Sequence, residues 1–168
     1  MKKGLIHIYT GDGKGKSTAA FGLAIRATGR NMKVIVYQFL KAVETGEVML
    51  IKDKLPEITV LRSTALKKFT WNMNEIELEH LKQDTIEGYN AAKKIIENNE
   101  CDLLVLDEIM YGLHQGFIEL EEFLQVISKK PATMEIVITG RDAPAKLIEQ
   151  ADYVTEMKKI KHPFDQGI

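Results

Sequence analysis

Thr10-Gly11-Asp12-Gly13-Lys14-Gly15-Lys16-Ser17-Thr18 is the stretch on which the reading of the whole chain turns. An apolar run, Leu5-Ile6-His7-Ile8-Tyr9, leads into it, and Ala19-Ala20-Phe21-Gly22-Leu23-Ala24-Ile25-Arg26 leads out. A buried strand therefore turns into a helix here. Gly11, Gly13 and Gly15 let the backbone fold tightly enough to aim several N–H groups into one concavity, and the helix start adds unpaired N–H groups and a positive dipole end. Such a turn cradles a polyphosphate. Lys16 brings a mobile point charge to phosphate oxygens, and the Ser17 hydroxyl is a hard-oxygen ligand for Mg2+. The strict phosphate-loop pattern starts with glycine, where this chain has Thr10. The plainer alternative is a glycine-rich turn with surface lysines, and the strand before and helix after weigh against it.

Outward from the loop, Ala20, Leu23, Ala24 and Ala27 form one apolar stripe of a helix over residues 17 to 30, with Gly29 as its stop. Lys33 to Leu40 is β-branched and mostly apolar, as in a strand covered on both faces, and completes a first βαβ unit. Thr45-Gly46 marks a loop, Val48 to Ile51 a short helix, and Ile58 to Arg62 a third strand. Residues 63 to 74 follow no clean period, yet contain Phe69 and the only tryptophan, Trp71. Long irregular connections in compact domains often carry function. Asn74 caps the next helix, whose buried side is marked by Leu78, Leu81, Thr85, Tyr89, Ala92 and Ile96, and Asn98-Asn99 ends it.

Next come the strand Asp102 to Asp107, a helix with Leu120, Phe123, Leu124 and Ile127 inward, and the strand Glu135 to Thr139. A helix from Ala143 to Gln150 with Pro144 in its first turn precedes a last strand, Tyr153 to Met157. The alternation predicts an α/β fold in one domain, residues 1–168, with a parallel sheet clothed on both sides.

The composition fits that class. A net charge of −1 gives no support for a nucleic-acid partner, and the single Cys101 excludes an intramolecular disulfide, fits a reducing compartment and suits a packing role. The apolar residues after Lys2-Lys3 are too few for a signal peptide, and no stretch approaches a membrane span, so the expected location is the cytoplasm.

Further candidate chemistry falls at strand ends. Asp107-Glu108 follows the apolar Leu103-Leu104-Val105-Leu106, and ligands of open α/β sheets bind outside the carboxyl ends of the strands. With the loop opposite, the pair suits a Mg2+ site facing phosphates; alone, it would be a strand ending at the surface. Arg141 either pairs with phosphate or substrate carboxylate, or sits exposed beside Asp142, and Arg26 on the loop helix presents the same two alternatives. His7, His80, His114 and His162 show no metal-ligand spacing, and no Ser-His-Asp pattern is present.

Several segments in order, the loop with Ala19-Ala20-Phe21-Gly22, Gln38-Phe39-Leu40-Lys41, Phe69-Thr70-Trp71, Val105 to Glu108, Ile138-Thr139-Gly140-Arg141 and Lys161-His162-Pro163-Phe164-Asp165-Gln166-Gly167, resemble the ATP:cob(I)alamin adenosyltransferase family of the CobA/BtuR type. The loop is shared with many ATPases; Phe-x-Trp and the Lys-His-Pro-Phe-Asp end make the likeness specific. The resemblance implies a RecA-like P-loop domain that moves the 5′-deoxyadenosyl group of ATP onto the cobalt(I) of a corrinoid. It implies Mg2+ on Ser17 and Glu108, with Asp107 beside them. ATP would be bound by Gly11, Asp12, Gly13, Lys14, Gly15, Lys16, Ser17 and Thr18 in the reverse of the usual orientation. Lys16 and Glu108 would stabilise the leaving triphosphate. Phe69 and Trp71 would occupy the lower face of the corrin and remove the axial ligand, so that cobalt(II) is easier to reduce. A homodimer and an electron-donor protein such as a flavodoxin are the further partners implied. Where the family shows Gly-x-Gly before the aromatic pair and Thr-Gln after it, this chain has Leu66-Lys67-Lys68 and Asn72-Met73-Asn74, and Lys41-Ala42 replaces Lys-Gly.

Two rivals use the same residues. One is a RecA-like ATPase or small-molecule kinase with Glu108 orienting water. The other is a nucleotide- or corrinoid-binding module without turnover.

Overall fold

A computed structural model describes residues 3–40, 43–62, 73–161 and 163. The elements in chain order are β1 (Ile6–Thr10), α1 (Lys16–Thr28), β2 (Val34–Gln38), α2 (Gly46–Lys54), β3 (Ile58–Arg62), α3 (Glu75–Glu97), β4 (Leu103–Asp107), α4 (Met110–His114), α5 (Leu120–Ser128), β5 (Glu135–Thr139), α6 (Ala145–Gln150) and β6 (Tyr153–Glu156). The strands form one sheet in the order β3-β2-β4-β5-β1-β6 with every pairing parallel. The α/β expectation stands. β1 and β2, joined through α1, are separated in the sheet by β4 and β5.

Period-two alternation sorts the strand residues into two layers of core. Ile35 and Tyr37, Leu104 and Leu106, Ile136 and Ile138 face the side covered by α3 to α6. Val34 and Val36, Leu103 and Val105, and Val137 face Ala20, Phe21, Ala24 and Ala27 of α1 and Val48 and Ile51 of α2. Small alanines on α1 bring the helix close to the sheet, which fixes the phosphate loop at its start.

Local signals meet their elements with small shifts. Asn74 caps α3 in a full capping box: its side chain accepts the Glu77 N–H at 2.9 Å, and Glu77 accepts the Asn74 N–H at 3.0 Å. Leu78, expected inside, is 39% exposed, because it belongs to a first turn that overhangs the core. The left-handed residue after α1 is Asn31 rather than Gly29. The short helix α4 carried no periodic signal; its Met110, Gly112 and Leu113 are buried directly after the acidic pair.

Candidate active site

The carboxyl ends of β1, β4 and β5 meet at a cavity of about 310 Å3 lined by Asp12, Gly13, Lys14, Gly15, Lys16, Ser17, Thr18, Glu47, Glu108 and Arg141. β1 delivers the loop. Gly11 and Gly15 take φ of 100° and 121°, a region that only glycine enters without strain. No side chain caps α1 and no acidic residue sits in its first turn, so its positive dipole end meets the cavity without a neighbouring carboxylate of its own. Lys16 is only 7% exposed, its Nζ donating to the carbonyls of Gly11 and Gly13 at 2.8 Å each. The ammonium is thus set inside the curl of the loop before any ligand arrives.

A segment after β6 braces the loop from behind. Met157 N–H donates to Thr10 O at 2.8 Å, Gly13 N–H to Met157 O at 2.7 Å, and Lys159 N–H to Asp12 Oδ1 at 3.0 Å. That last bond holds the Asp12 carboxyl below its usual range, with the charges of Lys159 and Arg141 adding to it. A Cβ at Gly11 or Gly13 would lie 2.4 or 2.6 Å from Met157 O, so these glycines serve close backbone approach as well as phosphate binding. The departure at Thr10 has its own use: the buried hydroxyl accepts the Ala143 N–H at 3.1 Å and ties the turn after β5 to the loop.

The acidic pair divides its roles. Glu108 lines the cavity with a left-handed φ of 64°. Asp107 is fully buried and absent from the lining; its oxygens accept Thr139 Oγ1–H at 2.8 Å and Gln38 Nε2–H at 3.3 Å. This corrects Asp107 as a residue facing the cavity: it is buried and absent from the lining. Arg26 is corrected too. It lies in the last turn of α1 beside His7, Leu103 and Glu135, which lie at the amino ends of their strands, opposite to the cavity. Ten residues along a helix put it about 15 Å from Lys16. Arg141 does line the cavity. Phe69 and Trp71 lie outside the described residues.

A sequence model for the family described as ATP:corrinoid adenosyltransferase BtuR/CobO/CobP matches residues 2–168. The chain belongs to the ATP:corrinoid adenosyltransferase family. A corrinoid adenosyltransferase of Pseudomonas aeruginosa is 38% identical over 99% of this chain and 81% of its own. One of Escherichia coli K12 is 36% identical over 99% and 83%. Among solved structures, the RadB recombinase superposes with a TM-score of 0.59 at 15% identity, over 96% of this chain and 77% of its own. The flagellar accessory protein FlaH of Methanocaldococcus jannaschii does so with a TM-score of 0.59 at 11% identity, over 91% and 70%. The adenosyltransferase chain therefore has a RecA-like P-loop fold.

The oxygen donors of this adenosyltransferase cavity suit Mg2+ carried on phosphates. Ser17 and Glu108 are hard donors that both line it, and among the described residues no trio of His, Cys, Asp or Glu gathers into a cage. Mg2+ favours that arrangement, keeping waters and phosphate oxygens and taking one or two protein ligands. Sequence reasoning missed Glu47, in the first turn of α2, and the brace at 157–159, neither of which bears a local mark of its partner. Gln38 and Thr139 did carry a signal: each is a polar residue that follows three apolar positions and ends a strand.

Proposed function

We propose that residues 1–168 act as one nucleotide-binding domain that transfers the 5′-deoxyadenosyl group of ATP to the cobalt(I) of a corrinoid and releases triphosphate. The match along the whole chain carries this reading, and the relatives' names agree with it. Substrate cobalt(I) is the nucleophile. A cobalt–carbon bond forms at ribose C5′, the C5′–O bond breaks, and its electron pair leaves on the triphosphate. No general base is required of the protein; it must align the ATP and stabilise charge on the leaving group. Lys16, the N–H groups opening α1, and Arg141 face that charge from the cavity wall. Mg2+ held by Ser17 and Glu108 would neutralise part of the triphosphate charge.

Phe69 and Trp71 are assigned to the lower corrin face, where they exclude the axial ligand of cobalt(II). That role, the reversed ATP, a homodimer and an electron-donor protein such as a flavodoxin rest on the resemblance. Among the described residues no helix is long and apolar enough to cross a membrane, and the cytoplasm is the compartment we assign.

Protein mixed with Mg-ATP and chemically reduced corrinoid should consume the cobalt(I) spectrum, form a light-sensitive alkylcorrinoid and yield triphosphate. Orthophosphate released without corrinoid would instead identify an ATPase, and binding without spectral change a carrier module.

A further inference from the structure

The buried polar residues beneath the cavity form a chain that ends on Glu108. Gln38, which closes β2, donates Nε2–H to Asp107 Oδ2 at 3.3 Å. Asp107, which closes β4, accepts Thr139 Oγ1–H on its other oxygen at 2.8 Å. Thr139, which closes β5, accepts the Glu108 N–H on that same hydroxyl at 2.9 Å. Gln38, Asp107 and Thr139 are each 0% exposed. Gln38 Oε1 is buried with no hydrogen-bond partner among the described residues. An amide normally turns to satisfy both ends, so leaving that acceptor empty favours the bond to Asp107 at a cost. Glu108 itself holds a backbone conformation that a side-chain-bearing residue rarely adopts. Such strain persists only where neighbours over-determine it.

We propose that Thr139 is the positioning residue for Glu108, with Asp107 and Gln38 orienting its hydroxyl. A hydroxyl has one proton. With that proton committed to Asp107, an oxygen lone pair is turned toward the Glu108 N–H, and this bond keeps the left-handed turn that brings Glu108 to the cavity wall. The register explains why Thr139 has the task. β5 lies between β4 and β1, and Thr139, level with Tyr9 and one step past the Leu106–Ile138 pair, is the polar residue at the carboxyl end of that strand, between the loop strand and the acidic strand. Glu108 in this arrangement is tethered through its N–H to a neighbouring strand.

The inference rests on Glu108 holding Mg2+ on the triphosphate. The test is therefore the Mg2+ dependence of adenosyl transfer in Thr139→Val, Thr139→Ala, Thr139→Ser and Glu108→Gln, with melting temperature measured alongside. Thr139→Val and Thr139→Ala should each raise the Mg2+ concentration for half-maximal rate about tenfold, as for partners that orient metal ligands. Thr139→Ser, which keeps the hydroxyl, should stay within about twofold of the parent. A purely structural role would lower the melting temperature and leave the Mg2+ dependence in place. If Glu108→Gln shifts that dependence and neither hydroxyl-free variant does, the positioning role is overturned while the Mg2+ reading survives. An unshifted Glu108→Gln would remove the Mg2+ reading and the inference with it. A tenfold shift in Thr139→Ser would also overturn the positioning role, and that variant remains decisive even if the valine and alanine forms do not fold.

Discussion

Lys16 shows how little freedom the central residue of the loop has. Its ammonium is already fixed by two carbonyls of its own loop, so binding a triphosphate adds charge neutralisation without ordering a long side chain. Lys16→Ala should lower the rate of alkylcorrinoid formation by about 10²- to 10³-fold, the range for losing one pre-set charge or donor at a leaving group. Trp71 belongs to a different step. Trp71→Ala should leave ATP binding intact, measured by calorimetry, and should slow the reaction much more when it starts from cobalt(II) than from pre-reduced cobalt(I). Equal losses from both starting states would rule out the axial-ligand role. Lys16 and Ser17 stood out in the sequence by their place between a glycine-rich turn and a helix start, and Glu108 by its place after an apolar strand. Asp107 was legible as acidic but not as buried, since adjacent residues of a strand end differ in direction only once the backbone turn between them is known.

The phosphate loop is an element defined jointly by β1, α1 and the segment after β6. Its glycines were readable, but only half their purpose was. A methyl at Gly13 would meet Met157 O at 2.6 Å and the Lys158 backbone at 2.8 Å. Gly13→Ala should therefore cost about 1–3 kcal/mol of stability by overpacking, read from urea unfolding, and should weaken ATP binding in step because the loop must shift to relieve the contact. An unchanged unfolding midpoint would mean that the brace is not formed. The capping box of α3 lies at the other extreme: Asn74 and Glu77 stand three residues apart in sequence, so their reciprocal bonds were foreshadowed by spacing alone.

Over the whole molecule, the edge strand β6 pairs with β1 alone and is flanked by two carboxylates. All four of its residues are exposed. It is docked at its start by Asp152, which accepts the Ile6 N–H at 2.9 Å and pairs with Lys3, and beyond its end by Asp12 through Lys159. The Ile6 N–H, and then Lys3, hold the Asp152 carboxyl below its ordinary value of 3.8; the Lys159 N–H does the same for Asp12. A depressed carboxylate contributes stability that is fully present above its unfolded-state pKa and is lost as pH falls through the folded-state one. Lowering the pH from about 6 to about 3 should therefore lower the melting temperature and reduce amide protection, taken relative to the unstructured exchange rate at each pH, at Ile6 and Lys159 ahead of the central strands. Asp152→Asn should flatten that dependence; an unaltered slope would locate the acid sensitivity elsewhere.

Taken alone, the sequence determined the phosphate loop, the alternation of strands and helices, the caps and the family likeness, all of which follow from backbone preference and side-chain type over a few neighbouring residues. Only the tertiary structure decided the strand order that separates β1 from β2, the burial of Asp107, the remoteness of Arg26, the brace on the loop and the tether on Glu108. The physical reason is distance along the chain. Thr139 and Asp107 are 32 residues apart, and Lys159 and Asp12 are 147 apart. Which of them meet depends on sheet register and crossover, and local periodicity encodes neither.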